Sequence, residues 1–372
     1  MPSIVDAMER IGQLAPRIVR APDLGHRVLF IGGHPGNGKT MMTPIISSLE
    51  RMEIQRYNYV LEYLCSLWQL GRMESDVASA MIRMLTDLDI YNLMMSREVN
   101  FRYSDLSSVF QNPNGWRYVR RLFGAGDAAA MERIPTEQPI LQLTLHYLLP
   151  FAQPLFEALG DRAHVLQLTR HPLYMIKQWH AYVHRHGHDV RDFTIWFDHE
   201  GQAVPFFARG WEEQFVRASR MDKAIYAIAH LFRMTRETLE RLTEAERARV
   251  LIVPFEPFVL DPWPWLTRIE ALVGTRVTPA TRRELKRQRI PRRRIADGRA
   301  TAIYRSYGWQ PADRSTDERG ELATRRAFAA TEASPEAMDV LDRLSTEYED
   351  EYLRGILPDV ADRPSNESGS SA

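Results

Sequence analysis

Three short stretches of this chain carry residues whose types and spacing suit anion and group-transfer chemistry. The first is Gly33-His34-Pro35-Gly36-Asn37-Gly38-Lys39-Thr40, a Gly-x-x-x-x-Gly-Lys-Thr pattern. It follows the apolar run Arg27–Ile31 and precedes an apolar-periodic segment. Glycines let a backbone curl until its N–H groups point at one anion, and the next helix adds the partial positive charge of its N-terminus. Lys39 then reaches a terminal phosphate oxygen, and the Thr40 hydroxyl bonds a phosphate or the shell of a magnesium ion. The second stretch is Arg170-His171-Pro172, placed after an apolar run, where a guanidinium can fork two N–H groups onto a phosphate. The third is His146, again just after an apolar run. A neutral imidazole there can take a proton from an attacking hydroxyl. Glu256 stands in a similar place, where a helix-capping or structural carboxylate is the favoured role.

These residues need strands to carry them. Residues 27–31, 139–145, 164–169 and 250–253 read as buried parallel strands, being short, apolar and bounded by turn residues. Helices are predicted over 39–50, 150–159, 173–186, 211–242 and 263–272, with a short amphipathic one in 1–20. Between 51 and 128 the pattern is helical, with a break at Asn112-Pro113-Asn114-Gly115. This rhythm predicts an α/β three-layer sandwich around a parallel sheet of four or five strands, with a large helical insertion after the first helix. A single domain over 1–360 and a disordered tail over 361–372 complete the expected organisation. Ligands in such sheets bind at the carboxyl ends of the strands, where all three stretches fall.

The bulk of the 372 residues narrows the classes. Lys plus Arg and Asp plus Glu are 48 each, so no global charge draws the chain to nucleic acid or a membrane surface. Cys65 is the only cysteine, which leaves no disulfide framework or cysteine metal cluster. No signal peptide or spanning run is evident, and the expectation is a cytoplasmic protein without a metal centre. His180, His184, His186 and His188 cluster, the first two at i, i+4, but lack a closing set of ligands. Residues 281–305 hold ten Lys and Arg against two acids and read either as an anion-closing segment or as a solvated basic face.

The order of these pieces resembles the P-loop sulfotransferase family. Pro35–Thr40 stands at that family's phosphosulfate loop, Thr144-Leu145-His146 at its catalytic histidine, and Arg170-His171-Pro172 at its Arg-x-Pro. Phe255-Glu256-Pro257-Phe258, Asp261-Pro262 and Leu272-Val273-Gly274 stand at its closing motif. The resemblance implies a P-loop α/β fold and a 3′-phosphoadenylyl sulfate donor. It also implies His146 as base, with Lys39 and residues Gly33, Pro35, Gly36, Asn37, Gly38 and Thr40 around the sulfated end. The 3′-phosphate would lie with Arg170, Gln178 and one of Arg292, Arg293 and Arg294, Arg299 being less favoured. The chain departs from the family at Gly36, where a lysine is usual, at Lys39, where threonine is usual, and at Gln178, where serine is usual. The lysine before the histidine is also absent. The Lys39–Thr40 pair is instead the arrangement of ATP-using P-loops, so an ATP–magnesium kinase and a nucleotide-binding protein without chemistry stand as alternatives. The resemblance implies an acceptor hydroxyl that the sequence does not identify, with a carbohydrate, a lipid and a small metabolite all compatible.

Overall fold

The computed structural model describes residues 16–357 apart from 21, 186, 188, 191, 300–304 and 306–314. Expectations for residues 1–15, His186, His188 and the C-terminal tail lie outside the described residues. In chain order the elements are β1 (Arg27–Gly32), α1 (Lys39–Ile46), β2 (Arg56–Tyr57), α2 (Tyr59–Gln69), α3 (Ser75–Met94), α4 (Trp116–Leu122) and α5 (Asp127–Glu137). There follow β3 (Ile140–Thr144), α6 (Gln153–Leu159), β4 (Ala163–Thr169), α7 (Pro172–Arg185), β5 (Trp196–His199) and β6 (Gln202–Pro205). Next come α8 (Glu212–Arg217), α9 (Arg220–Arg241), α10 (Glu244–Arg247), β7 (Val250–Pro254), α11 (Phe255–Leu260) and α12 (Trp263–Val273). The last are α13 (Pro279–Arg287), α14 (Glu318–Ala330) and α15 (Pro335–Tyr348).

Five strands form one parallel sheet in the order β2-β3-β1-β4-β7. Side chains alternate between the faces of a strand, yet Val28 to Gly32 and Ile140 to Thr144 are buried throughout, so helices cover both faces. The chain winds to β2 and β3 on one side of β1 and to β4 and β7 on the other. Such a reversal opens a crevice beyond the carboxyl ends of the central strands. The helices around the sheet carry their own start signals. Asn58 caps α2, Ser219 caps α9, Thr278 with Pro279 starts α13, and Ser334 with Pro335 starts α15. Helices α7, α9, α14 and α15 pack on one another, and α3 packs on α2 and α6.

The four strands read from sequence are all present, and the sheet gains β2, a two-residue edge strand that no apolar run announces. Helix α5 runs on to Glu137, past the expected limit of the insertion at 128. The helix expected over 211–242 divides into α8 and α9, because Ala218 and the cap residue Ser219 are extended. The irregular stretch around 187–210 contains the antiparallel hairpin β5–β6. Residues 16–20 are not helical. The insertion is fastened near the start of β3 by the buried carboxylate of Glu53. It accepts from the Tyr118 hydroxyl at 2.5 Å and from Arg121 at 2.8 and 3.1 Å, with Arg117 at 3.5 Å.

Candidate active site

Every strand of the main sheet delivers a side chain or loop to one cavity of about 450 Å³. β1 hands over the glycine loop, β2 contributes Tyr57, His146 lies just past β3, Arg170 follows β4, and Phe255 follows β7. Helix α7 adds Tyr174, Lys177, Gln178 and Tyr182. The segments around α13 and α14 add Gln288, Arg292, Arg299 and Arg325.

The loop curls because Gly36 and Gly38 adopt φ of 96° and 94°, a left-handed region costly for residues with a Cβ. A methyl group at Gly38 would also overlap the Phe255 ring. Asn37 is turned inward and donates to the Leu168 carbonyl at 2.6 Å, tying the loop to β4. No side chain caps α1 and its first turn holds no acid; the Met41 and Met42 N–H groups bond back to the Gly38 carbonyl, and the positive end of the helix dipole would favour an anion at the loop. Lys39 is buried and donates to the carbonyls of Gly33 and His34. Burial lowers its pKa to about 7, against a smaller raising effect from Glu62. His34 is lowered to about 3, by burial and then by Lys39. Burial in the loop thus disfavours positive charge, which an anion there would favour.

Arg170 donates to the Gly36 carbonyl at 2.8 Å and lies over Phe255 at 4.1 Å and Tyr174 at 5.0 Å. Arg292 approaches the same Phe255 at 5.3 Å, and Arg325 approaches the same Tyr174 at 4.3 Å. Three guanidiniums and two rings therefore alternate along one wall. Among the described residues six Lys or Arg side chains line the cavity against one carboxylate, Glu321, a balance that would suit an anion with several charges. Burial followed by Arg325 lowers the Lys177 pKa, a direct sign of that crowding.

On the opposite wall, His146 is held from two directions. Its backbone N–H donates to Glu62 Oε2 at 2.8 Å, and its Nδ1 lies 3.4 Å from the same oxygen. Tyr59 stacks on the ring at 6.4 Å between centroids and 18° between planes. The following residue, Tyr147, is buried with φ of 53°, a strained conformation for an aromatic residue. It is locked by packing on Phe207, Phe206 and Trp179. Glu62 was not legible as a partner of His146. It lies 84 residues away in the sequence, and only the approach of α2 to the end of β3 joins them.

Of the residues singled out in sequence, Pro35, Gly36, Gly38, Lys39, Thr40, His146, Arg170, Gln178 and Arg292 line this cavity. Gly33 and Asn37 shape the loop from beneath, without lining it. Arg293 is exposed outside the cavity. Arg294 donates to the Thr316 carbonyl at 2.8 Å and lies 3.5 Å from Asp297, whereas Arg299, the less favoured candidate, is in the lining. Residues 290–299 run through bends and turns rather than presenting one helical face, so adjacent arginines diverge. Glu256 is fully buried outside the lining. It accepts from Tyr348 at 2.7 Å and from the His171 N–H at 3.1 Å, a structural part. His180 pairs with Glu332 at 3.0 Å, and His184 is exposed. Among the described residues no group of three or more His, Cys, Asp or Glu could hold a metal ion, and no helix is long and apolar enough to cross a membrane.

No protein-family model matches the chain, and no curated protein matches it in sequence. Among solved structures it is similar to the sulfotransferase domain of the Synechococcus PCC 7002 olefin synthase. That match is 15% identical, covers 88% of this chain and 96% of that one, and has a TM-score of 0.42. The sulfotransferase STF9 from Mycobacterium avium matches at 12% identity, over 92% and 81% of the two chains, with a TM-score of 0.39. The sulfotransferase domain from the curacin biosynthetic pathway matches at 10% identity, over 88% and 99%, with a TM-score of 0.37. What the cavity can do follows from its own residues.

Proposed function

We propose that the chain is a transferase that moves a sulfuryl group from 3′-phosphoadenylyl sulfate to an acceptor hydroxyl. The observation that supports it is the pairing, in one cavity, of two anion-binding places with a histidine backed by a carboxylate. A donor charged at both ends needs two such places. The glycine loop and the start of α1 suit the sulfated 5′ end. Arg170 and Arg292, gathered on the Phe255 ring with Gln178 nearby, suit the 3′-phosphate.

With Nδ1 turned to Glu62, Nε2 of His146 is the nitrogen left to receive the acceptor proton. As that proton leaves, the acceptor oxygen bonds to sulfur, and the bond from sulfur to the bridging oxygen breaks with its electron pair going to the nucleotide. Lys39 and the loop N–H groups stabilise the charge that grows there. An anion in the cradle competes with the Gly33 and His34 carbonyls for the Lys39 protons.

The test is thermal stabilisation by 3′-phosphoadenosine 5′-phosphate against ATP with magnesium, joined to transfer of labelled sulfate. Saturation at a hundredfold excess over Kd should add about 2.7 kcal/mol. His146→Ala should keep that stabilisation and lose about 10²- to 10⁴-fold in kcat. Stabilisation by magnesium–ATP alone would overturn the reading in favour of a kinase. Normal turnover in His146→Ala would remove the base.

A further inference from the structure

The helical insertion carries an apolar surface that lies outside the cavity. Of the nineteen large apolar side chains exposed among the described residues, seven fall within residues 101–123. Helix α4 shows how they are presented. Successive helical residues turn by about 100°, so Trp116, Arg120 and Phe123, which closes the last turn, share one face, and Tyr118 lies opposite. The inner face is fastened, because Tyr118 and Arg121 reach the buried Glu53. The outer face is open. Trp116 is 75% and Phe123 86% exposed, with Arg120 exposed between them. A second group of rings adjoins it. Phe110 packs on Phe101 at 6.2 Å and on Tyr103 at 5.9 Å between centroids, and Tyr103 is 73% exposed. Gly115 lies so close to the Val109 carbonyl that a Cβ there would overlap it, which sets α4 directly beside this second group. Large exposed rings gathered in this way mark an interaction surface.

We propose that this lobe docks on an anionic lipid surface, with Trp116, Phe123 and Tyr103 entering the headgroup layer and Arg120 meeting lipid phosphates. Charge selects lipid over a protein partner. From Leu106 to Gly126 the chain holds three arginines and no acid. Arg117 and Arg121 turn inward to Glu53, which leaves Arg120 as the outward cation of α4. The pull is local, since the chain as a whole is neutral. Trp and Tyr rings, apolar in body and polar at one edge, suit the boundary between headgroups and acyl chains. Phe123 is followed by exposed Gly124, Ala125 and Gly126, so no bulky side chain there holds the end of α4 off a flat surface. With its inner face already fixed, α4 orders no new backbone on docking. A few rings and a cation bury far less apolar surface than a spanning helix, so the attachment is reversible.

The full chain is sedimented with vesicles of phosphatidylcholine alone and of phosphatidylcholine with phosphatidylglycerol in equal parts. The expected result is binding to the mixed vesicles that weakens severalfold as salt rises from about 0.1 M to about 1 M. Trp116→Ala joined to Phe123→Ala should weaken partitioning about tenfold or more. Arg120→Glu, a separate exposed change, should weaken it severalfold and remove most of the salt dependence. Trp263→Ala, exposed on α12, should leave it unchanged. An unmoved urea midpoint in the double variant would show an intact fold. The proposal is overturned by absence of binding to the mixed vesicles, by equal and salt-insensitive binding to both kinds, or by unmoved partitioning in the double variant. Sedimentation velocity without lipid tests the rival occupant: a dimer that the double variant dissociates would assign the surface to a second copy and overturn the lipid reading.

Discussion

Lys39 shows how far a single side chain can be tuned by where its loop puts it. Burial lowers its pKa to about 7, so at pH 8 the neutral amine is the favoured form there. An anion in the cradle favours the charged form. Binding of 3′-phosphoadenosine 5′-phosphate at pH 8 should therefore take up a proton, approaching one per site, and the uptake should shrink towards pH 6, where the amine is already charged. Calorimetry in two buffers of different ionisation enthalpy reads this directly. Lys39→Met should abolish the uptake, and persistence of the uptake in that variant would assign the proton elsewhere. On the opposite wall, Glu62 acts through His146 by fixing Nδ1 and the backbone N–H. Glu62→Gln should lower kcat about tenfold or more while leaving nucleotide affinity unchanged. An equal loss in both would mark Glu62 as a prop for the fold.

Among the elements, the insertion depends on one buried carboxylate. Burial pushes the Glu53 pKa up, but Arg117 and Arg121, with hydrogen bonds from Arg121 and Tyr118, hold it below the usual carboxylate range. Glu53→Gln leaves buried guanidiniums facing a neutral amide and should cost about 3–5 kcal/mol in urea unfolding at pH 7. The sign of the pH effect follows from the depressed pKa. The stabilisation is complete above the unfolded carboxylate's titration and is lost as pH falls through the lower folded value. The difference between the natural protein and Glu53→Gln should therefore narrow on acidification, and a gap constant from pH 7 to pH 3 would refute the assignment. What was legible in the sequence follows the same logic of local against distant causes. β1, β3, β4 and β7 announce themselves because a strand buried on both faces must be an unbroken apolar run. β2 is two polar-flanked residues whose pairing is set by the rest of the sheet. The division between α8 and α9 turns on one serine cap, which a long amphipathic pattern hides. Glycine loop, histidine and Arg170 were legible because each follows a strand. Glu62 and Arg325 arrive from other elements, with no local pattern tying them to the site, and Arg299 was legible only as the less favoured cation of the basic segment 281–305.

At the scale of the molecule, the chain closes on itself. Helices α14 and α15 come from its last fifth, yet α14 places Thr324 and Arg325 in the cavity formed around the first strand. From the end of α15, Tyr348 donates to Glu256 at 2.7 Å. Glu256 accepts from the His171 N–H and lies 4.0 Å from Arg170 Nε. His171 in turn meets Glu349 at 3.1 Å. This chain of contacts runs from the C-terminal helix to the guanidinium proposed to hold the donor's far phosphate. Removing the hydroxyl in Tyr348→Phe leaves the buried Glu256 carboxylate short of one donor, which should cost about 1–3 kcal/mol of stability. The same carboxylate then draws more strongly on Arg170, in competition with the nucleotide, so nucleotide affinity should fall severalfold while kcat at saturation holds. Tyr352→Phe, on the next turn, changes a hydroxyl tied to Glu351 and not to Glu256, and should leave affinity alone. Urea unfolding and calorimetric titration of the two variants separate the outcomes. A loss of stability with unchanged affinity in Tyr348→Phe would make the C-terminal helix a brace for the sheet, with no hold on the site.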